Sequence, residues 1–221
     1  MSACGSTAYV PLTSANLAST LAAASKNLHT AHEVTTGNGV TTTIDFDNSG
    51  VFKYRMTQSA ASSPGETLIG IGADRYLQAA GVTPSGKWLK VPSSGGVSVS
   101  FAAIDPVGMV GRFTKGLQKF TYVGADKIDG AQVRHYRLAI DQQKFLKATG
   151  QGVGSANLGS SEIVTEDLYL NEDNTLRRVV LSLPGGVGNT QVDVTNWGKP
   201  LTIQAPPASA IVTSVGTSAT K

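Results

Sequence analysis

The sequence predicts an α+β fold in which one antiparallel sheet makes up most of the chain and a few short helices cover it. Apolar residues alternate with polar ones in many short segments, whereas few segments have helical spacing. Charged residues make up only 15% of the chain, and its 25 glycines suit many turns. We expect a single domain over residues 13–212, preceded by a tether (1–12) and followed by a flexible tail (213–221).

The first predicted element is a helix near the N-terminus. Thr13 or Ser14 can cap it, because a hydroxyl oxygen there can accept hydrogen bonds from the free N–H groups of the first turn. The apolar stripe of this helix has a spacing of three to four residues: Leu17, Leu21, Ala24 and Leu28. Such a stripe predicts that one face of the helix lies on another element.

Two strands joined by a hairpin follow. Their apolar residues alternate with polar ones: Val40, Ile44 and Phe46, then Phe52, Tyr54 and Met56. The turn 47–50, Asp-Asn-Ser-Gly, has residues that tolerate hairpin geometry. The same segment resembles the start of an EF-hand loop, but Met56 stands where that loop has its bidentate Glu. We therefore predict a hairpin and no calcium site.

A second helix begins at Asp105, which can act as N-cap before Pro106 in the first helical position. Its apolar residues are Val107, Met109, Val110, Phe113 and Leu117. Gly108, Gly111 and Gly116 interrupt them, each at a cost of ~1 kcal/mol relative to Ala. We expect this helix to act as a movable gate, with close packing of the glycines against the sheet as the alternative.

The remaining elements are strands and one more helix. Strands are predicted at 67–73, 75–80, 87–91, 120–123 and 132–140, then around Leu168 and Leu170, from Val179 to Leu183, and around Val192 and Val194. Tyr136, Leu138 and Ile140 share one face of their strand, so we expect His135 on the other face to be a surface imidazole. Asp141 caps a short helix before a Gly/Ser-rich loop at 150–161.

Cys4 is the only cysteine, in the segment Ser2-Ala3-Cys4-Gly5. This segment resembles a bacterial lipobox, with Met1 in place of the usual leucine. The resemblance implies a diacylglyceryl thioether on Cys4 and a lipid anchor on the extracytoplasmic face of the cell membrane. An accidental exposed thiol is the alternative.

The C-terminal part of the chain carries a family resemblance. It has a strand at 167–171, then Leu176-Arg177-Arg178-Val179, then Asn196-Trp197-Gly198-Lys199-Pro200 leading into Ala205-Pro206-Pro207. This order resembles actinobacterial lipoproteins of the LppX/LprG type, and the likeness extends over residues 17–212. It implies a LolA-like half-barrel: one strongly curved antiparallel sheet whose concave side is covered by helices, leaving an apolar cavity for acyl chains. It implies no catalytic residues.

In that fold, the cavity would be lined by the inward-facing residues of adjacent strands and by apolar residues of the gate helix. These residues are Ile44, Phe46, Phe52, Tyr54, Met56, Val110, Phe113, Leu117, Tyr136, Leu138, Ile140, Leu168 and Leu170. Alternation shows which face is buried and leaves open whether the interior is hollow or packed.

Other chemistries lack residues that they need. His29, His32 and Glu33 do not have the His-Glu-x-x-His spacing, and we expect them to be solvated near a helix end. Glu166 and Asp167 are expected at a strand end, solvated by water. No Gly-x-Ser-x-Gly segment supplies a nucleophile, and no basic stripe with stacking aromatics suggests nucleic acid.

The sequence therefore favours an envelope lipoprotein that binds lipid or acylated glycolipid and carries or presents it, with an envelope transporter as a further partner. We expect no enzymatic activity, no cofactor, no metal and no nucleic-acid partner. The alternative is an envelope binding or scaffolding lipoprotein with a packed core and a protein partner.

Overall fold

The computed structural model describes residues 10–61, 63–92, 104–149, 163–182 and 189–214. Helices α1 to α3 span Leu17–Ser25, Pro106–Phe113 and Gln142–Thr149. Strands β1 to β6 span Thr30–Gly37, Val40–Asp47, Lys53–Ala60, Ser63–Ile71, Asp74–Ala79 and Trp88–Val91. Strands β7 to β12 span Leu117–Ile128, Ala131–Asp141, Ile163–Asn171, Leu176–Ser182, Asn189–Thr195 and Ile211–Val212. Short 3-10 turns lie at Thr114–Gly116 and Ala208–Ala210.

The described strands form one 12-stranded sheet in the order β12-β6-β5-β4-β3-β2-β1-β11-β10-β9-β8-β7. The pair β1 and β11 joins the N-terminal strands of the sheet to its C-terminal strands, with Glu33 opposite Val194. Strands β7 and β12 lie at the two edges, and the curved sheet stays open. The predicted α+β half-barrel is confirmed, with one correction. Strand β12 runs parallel to β6, so the sheet is mixed.

The alternation of apolar and polar residues does not predict strand β1. Its inward positions are held by Ala31, Glu33 and Thr35, which include no large apolar residue, so alternation gives no signal. The turn between β1 and β2 does have a sequence signal, Asn38-Gly39, and these two residues have positive φ values of 51° and 75°. Asn-Gly is a strong hairpin signal, because both central residues of a type I′ turn need positive φ.

The helices are confirmed with shifted bounds. The N-cap of α1 is Asn16 rather than Thr13 or Ser14, and its Oδ1 accepts the N–H of Thr13 at 2.7 Å. The helix ends at Ser25, so Leu28 lies beyond it. Asp105 caps α2 as predicted, accepting the N–H of Val107 at 3.1 Å.

The predicted Asp141 cap of α3 is also present, since Asp141 Oδ1 accepts the N–H of Lys144 at 3.0 Å. The predicted gate helix, which begins after Asp105, is shorter than predicted. A 3-10 turn follows α2, and Leu117 is already the first residue of β7.

The turn between β2 and β3 is built as predicted for a hairpin. Asp47 Oδ1 accepts hydrogen bonds from the backbone N–H and the hydroxyl of Ser49 at 2.9 and 2.6 Å. The predicted tether and tail and the loop 150–161 fall mainly or wholly outside the described residues, and they stay predictions.

One hydrophobic core lies between the helices and one face of the sheet, which we call the concave face. Leu17 and Leu21 of α1 and Val110 of α2 pack in the same cluster as Phe46, Tyr136 and their neighbours on the strands. The helices therefore cover the side of the sheet that carries the predicted lining residues.

Candidate functional site

Strand register brings the predicted lining residues of the first half together on the concave face. Ile44 lies opposite Met56, and Phe46 lies opposite Tyr54, across the β2–β3 pair. The ring of Phe52 lies 5.5 Å from that of Tyr54, measured between centroids. Residues on one face of paired strands are close enough to form a continuous apolar surface.

The second half of the sheet is arranged in the same way. Tyr136 lies opposite Leu168 across the β8–β9 pair, and Leu138 and Ile140 follow at alternate positions of β8. Leu170 lies opposite Leu176 of β10. All of these residues belong to the one core.

Most of the predicted lining residues are buried in this core. Tyr54, Tyr136, Phe46, Val110, Leu138, Ile140, Leu168 and Leu170 are fully buried, and Ile44 is buried. Phe52, Met56, Phe113 and Leu117 are half-buried and pack against them. The ring of Phe120 stacks on Tyr136 with centroids 5.2 Å apart. The lining role of these residues stays a prediction, and a ligand among them needs space that the side chains now occupy.

A cleft of about 240 Å³ opens between the end of α1 and the start of α2. Its lining is Ala22, Ser25, Lys26, Leu28, His29, Phe46, Asn48, Asp105, Val107 and Trp197. Apolar residues such as Phe46 and Val107 lie beside polar ones such as Lys26 and Asn48. The cleft is smaller than ligand pockets of ~300–1,000 Å³. It reaches the core at Phe46, where outward movement of α2 would enlarge it.

Trp197 anchors the C-terminal segment beneath this cleft. Its indole Nε1 donates a hydrogen bond to the carbonyl oxygen of Leu176 at 2.8 Å. Its ring meets Phe46 edge-on, with centroids 6.5 Å apart. The most specific part of the sequence resemblance, the Trp-Gly-Lys-Pro segment, thus contributes a wall of the cleft.

The three glycines of the gate segment have different surroundings. A Cβ on Gly116 would lie 2.7 Å from the carbonyl oxygen of Asp141, so this glycine permits close packing. A Cβ on Gly108 would lie 2.5 Å from Oδ2 of the capping residue Asp105. A Cβ on Gly111 would meet no atom within 4 Å. Only at Gly111 does packing give no reason for a glycine.

Two carboxyl groups are buried on the concave face, against expectation. Glu33 is a central residue of β1, 7% exposed, and its Oε1 accepts the hydroxyl of Thr35 at 3.2 Å. Burial raises the pKa of Glu33 to about 7, the Thr35 hydrogen bond opposes the rise, and the charge of Asp105 adds to it.

Glu166 is the second of these carboxyl groups. It lies inside β9 rather than at a strand end and is 0% exposed. Burial, with a contribution from Asp167, raises the pKa of its carboxyl well above the usual range. The expectation of solvation is wrong for both residues, because each strand begins earlier than the apolar pattern indicates.

The opposite face of the sheet carries a polar cluster. His135 faces away from the helices as predicted, but it is buried: its Nε2 lies 2.7 Å from Asp167 Oδ1, and its ring stacks on Tyr169 at 4.4 Å. Arg137 Nε donates to the same Asp167 oxygen at 2.8 Å. Burial works to raise the pKa of Asp167, but these hydrogen bonds and charges hold it below its usual value.

His32 is also paired, with its Nδ1 2.7 Å from Asp45 Oδ1, whereas His29 is exposed at the cleft. Within the described ranges, no group of three or more His, Cys, Asp or Glu residues is arranged to hold a metal ion. In the same ranges, no helix has the length and apolar character needed to cross a membrane. Cys4 lies outside the described residues.

No family model matches the chain, and no curated protein matches it. Among solved structures it is similar to LprF from Mycobacterium bovis, with a TM-score of 0.63, 19% sequence identity, and coverage of 87% of this chain and 96% of that one. It is also similar to the lipoprotein LppX of Mycobacterium tuberculosis, with a TM-score of 0.60, 15% identity, and coverage of 87% and 100%. The fold expected from the resemblance to LppX/LprG-type lipoproteins is therefore confirmed.

Proposed function

We propose that this protein is a membrane-anchored lipoprotein of the cell envelope that binds acyl chains of a lipid or glycolipid and carries or presents them. The observation that carries this proposal is the concave face. It is a large, mostly apolar surface on an open sheet, and among the described residues only three short helices cover it. The similar fold of LprF and of the lipoprotein LppX supports the assignment to a lipoprotein of the envelope.

In the proposed mechanism, α2 moves away from α1 and the cleft between them extends into the core. Acyl chains then replace contacts among the core residues, and the polar head stays at the rim near Lys26, His29 and Asn48. Burial of each methylene contributes ~0.8 kcal/mol, so one long chain can offset the cost of ordering it. Lipidated Cys4 would hold the protein at the membrane, where an envelope transporter would exchange the lipid with it.

Native mass spectrometry of the protein purified from an actinobacterial host tests this function. We expect copurified lipid, and we expect Met56→Trp to reduce it, because Met56 faces the interior. Thr57→Trp is the matched control, since Thr57 is the next residue of β3 and is exposed on the other face. Absence of lipid from the wild type, or equal lipid in both variants, would contradict the proposal.

The second candidate is a scaffolding lipoprotein whose partner is another protein. The observation that favours it is the complete burial of most predicted lining residues within one core cluster. Under this alternative the wild type carries no lipid, and it copurifies instead with an envelope protein.

A further inference from the structure

Glu166 lies on the concave face, and its neighbours there are apolar. The register places Leu138 of β8 and Leu181 of β10 directly opposite it. Along its own strand, the neighbours on the same face are Val164 and Leu168, and both are buried. A carboxyl group therefore stands inside the surface that we propose receives acyl chains.

Both oxygens of this carboxyl are buried and find no hydrogen-bond partner among the residues that the structure describes. Glu33, the other buried carboxyl on this face, differs because it accepts a hydrogen bond from Thr35. An unpartnered polar group in an apolar interior costs stability, and replacing it with an apolar side chain would avoid that cost. The position therefore calls for a hydrogen-bonding partner from outside the described chain.

The chemistry of the carboxyl narrows the choice of partner. Burial without a partner raises the pKa of this carboxyl well above its usual range, which favours the uncharged acid, a group with one O–H donor and one carbonyl acceptor. A plain hydrocarbon chain would leave both unpaired, and an ester carbonyl would pair the donor alone. A hydroxyl group pairs both, since its oxygen accepts from the acid O–H and its own O–H donates to the acid carbonyl.

We propose that the protein selects acyl chains that carry a hydroxyl group, which meets the Glu166 carboxyl when the chain enters the core. This inference rests on the proposed lipid-binding function. It adds a specificity to that function, because a chain without the hydroxyl would leave the acid unpaired and bind less tightly.

The test compares methyl hexadecanoate with a series of methyl hexadecanoates that carry one hydroxyl at successive positions along the chain. Dissociation constants are measured by calorimetry on delipidated protein. We expect one position in the series to bind about tenfold tighter than the plain ester, which corresponds to ~1.4 kcal/mol. Both neighbouring positions should show less preference, since the carboxyl is fixed in the sheet.

Three variants identify the group responsible. Glu166→Leu should remove the preference for the hydroxyl while keeping affinity for the plain ester, whereas Glu166→Gln, which retains a donor and an acceptor, should keep it. Glu33→Gln is the matched control on the same face and should also keep it. The Leu variant is expected to fold, because it replaces an unpartnered polar group with an apolar one of similar size.

The outcomes separate this inference from the function beneath it. If no ester binds to the wild type, the proposed function itself fails. If the plain ester binds and no hydroxylated ester binds more tightly, the hydroxyl preference is overturned while the proposed lipid-binding function stands. A preference that persists in Glu166→Leu also overturns it.

Discussion

The ring of Tyr54 lies against the backbone of Gly70, its partner on the neighbouring strand. A Cβ added to Gly70 would lie 2.1 Å from Cε1 of Tyr54. Tyr54 is fully buried, and the guanidinium of Arg75 lies 5.4 Å from its ring centroid. The glycine is thus required on the concave face because the aromatic ring occupies the space of its side chain.

Gly70→Ala should therefore lower the free energy of unfolding by roughly 1–3 kcal/mol, as overpacking in a core does. Urea denaturation measures the change. In a Tyr54→Leu background the ring is absent, and the added methyl should cost much less. An equal penalty in both backgrounds would show that the ring is not its cause.

Glu33→Gln should change how stability depends on pH. The folded protein keeps the Glu33 proton up to about pH 7, whereas the unfolded chain loses it near pH 4.5. The wild type should therefore lose stability relative to the variant as the pH rises between these values, by about 3 kcal/mol in total.

Urea denaturation of both proteins over this pH range measures the effect of Glu33. We expect nearly equal stability below pH 4.5 and a more stable variant above pH 7. A difference that does not vary with pH would mean that Glu33 titrates alike in the folded and unfolded chains. Taking the difference between the two proteins removes the parallel contribution of Glu166, which both retain.

The sequence predicts the strands with large alternating side chains and misses those without them. Phe46, Tyr54 and Leu168 reveal their strands because their neighbours are polar. Glu33 and Glu166 are polar, so alternation does not reveal where their strands begin. Their burial depends on residues far along the chain, such as Val194 opposite Glu33. The edge pairing of β12 with β6 depends on only two residues and leaves no periodic pattern.

The site is predictable to a similar extent. Which side chains face the helices follows from strand periodicity, so the predicted lining residues do meet in one cluster. Periodicity does not show how tightly these side chains pack, because packing depends on side-chain volumes. It also does not show that the cleft lies between α1 and α2, because this depends on where the helices sit. The unpartnered state of Glu166 likewise depends on three-dimensional surroundings.

Cys4→Ala should release the protein from the membrane. When the chain is expressed behind a lipoprotein signal peptide, the wild type should partition into the detergent phase, because stable attachment needs more than one acyl chain and Cys4 is the only thiol. Ser6→Ala, two residues away, is the control and should partition like the wild type. Detergent-phase recovery of Cys4→Ala equal to that of the wild type would refute the anchor.

Gly111→Ala should stiffen α2 and slow lipid exchange. Gly111 lies in the last turn of the helix, and a Cβ there meets no atom within 4 Å, so the change adds helix propensity without a clash. We expect a stability gain of up to ~1 kcal/mol and slower transfer of a fluorescent lipid between donor and acceptor vesicles. Gly108→Ala is unsuitable for this purpose, because its Cβ would disturb the Asp105 cap.

Two further variants separate gating from packing. Gly50→Ala in the β2–β3 turn also adds a methyl that meets no atom within 4 Å, and it should leave the transfer rate unchanged. Gly116→Ala should instead destabilise the protein, since its Cβ would lie 2.7 Å from a backbone oxygen that cannot easily move. If Gly111→Ala stabilises the protein and the transfer rate stays that of the wild type, α2 is a static wall, and lipid must enter elsewhere.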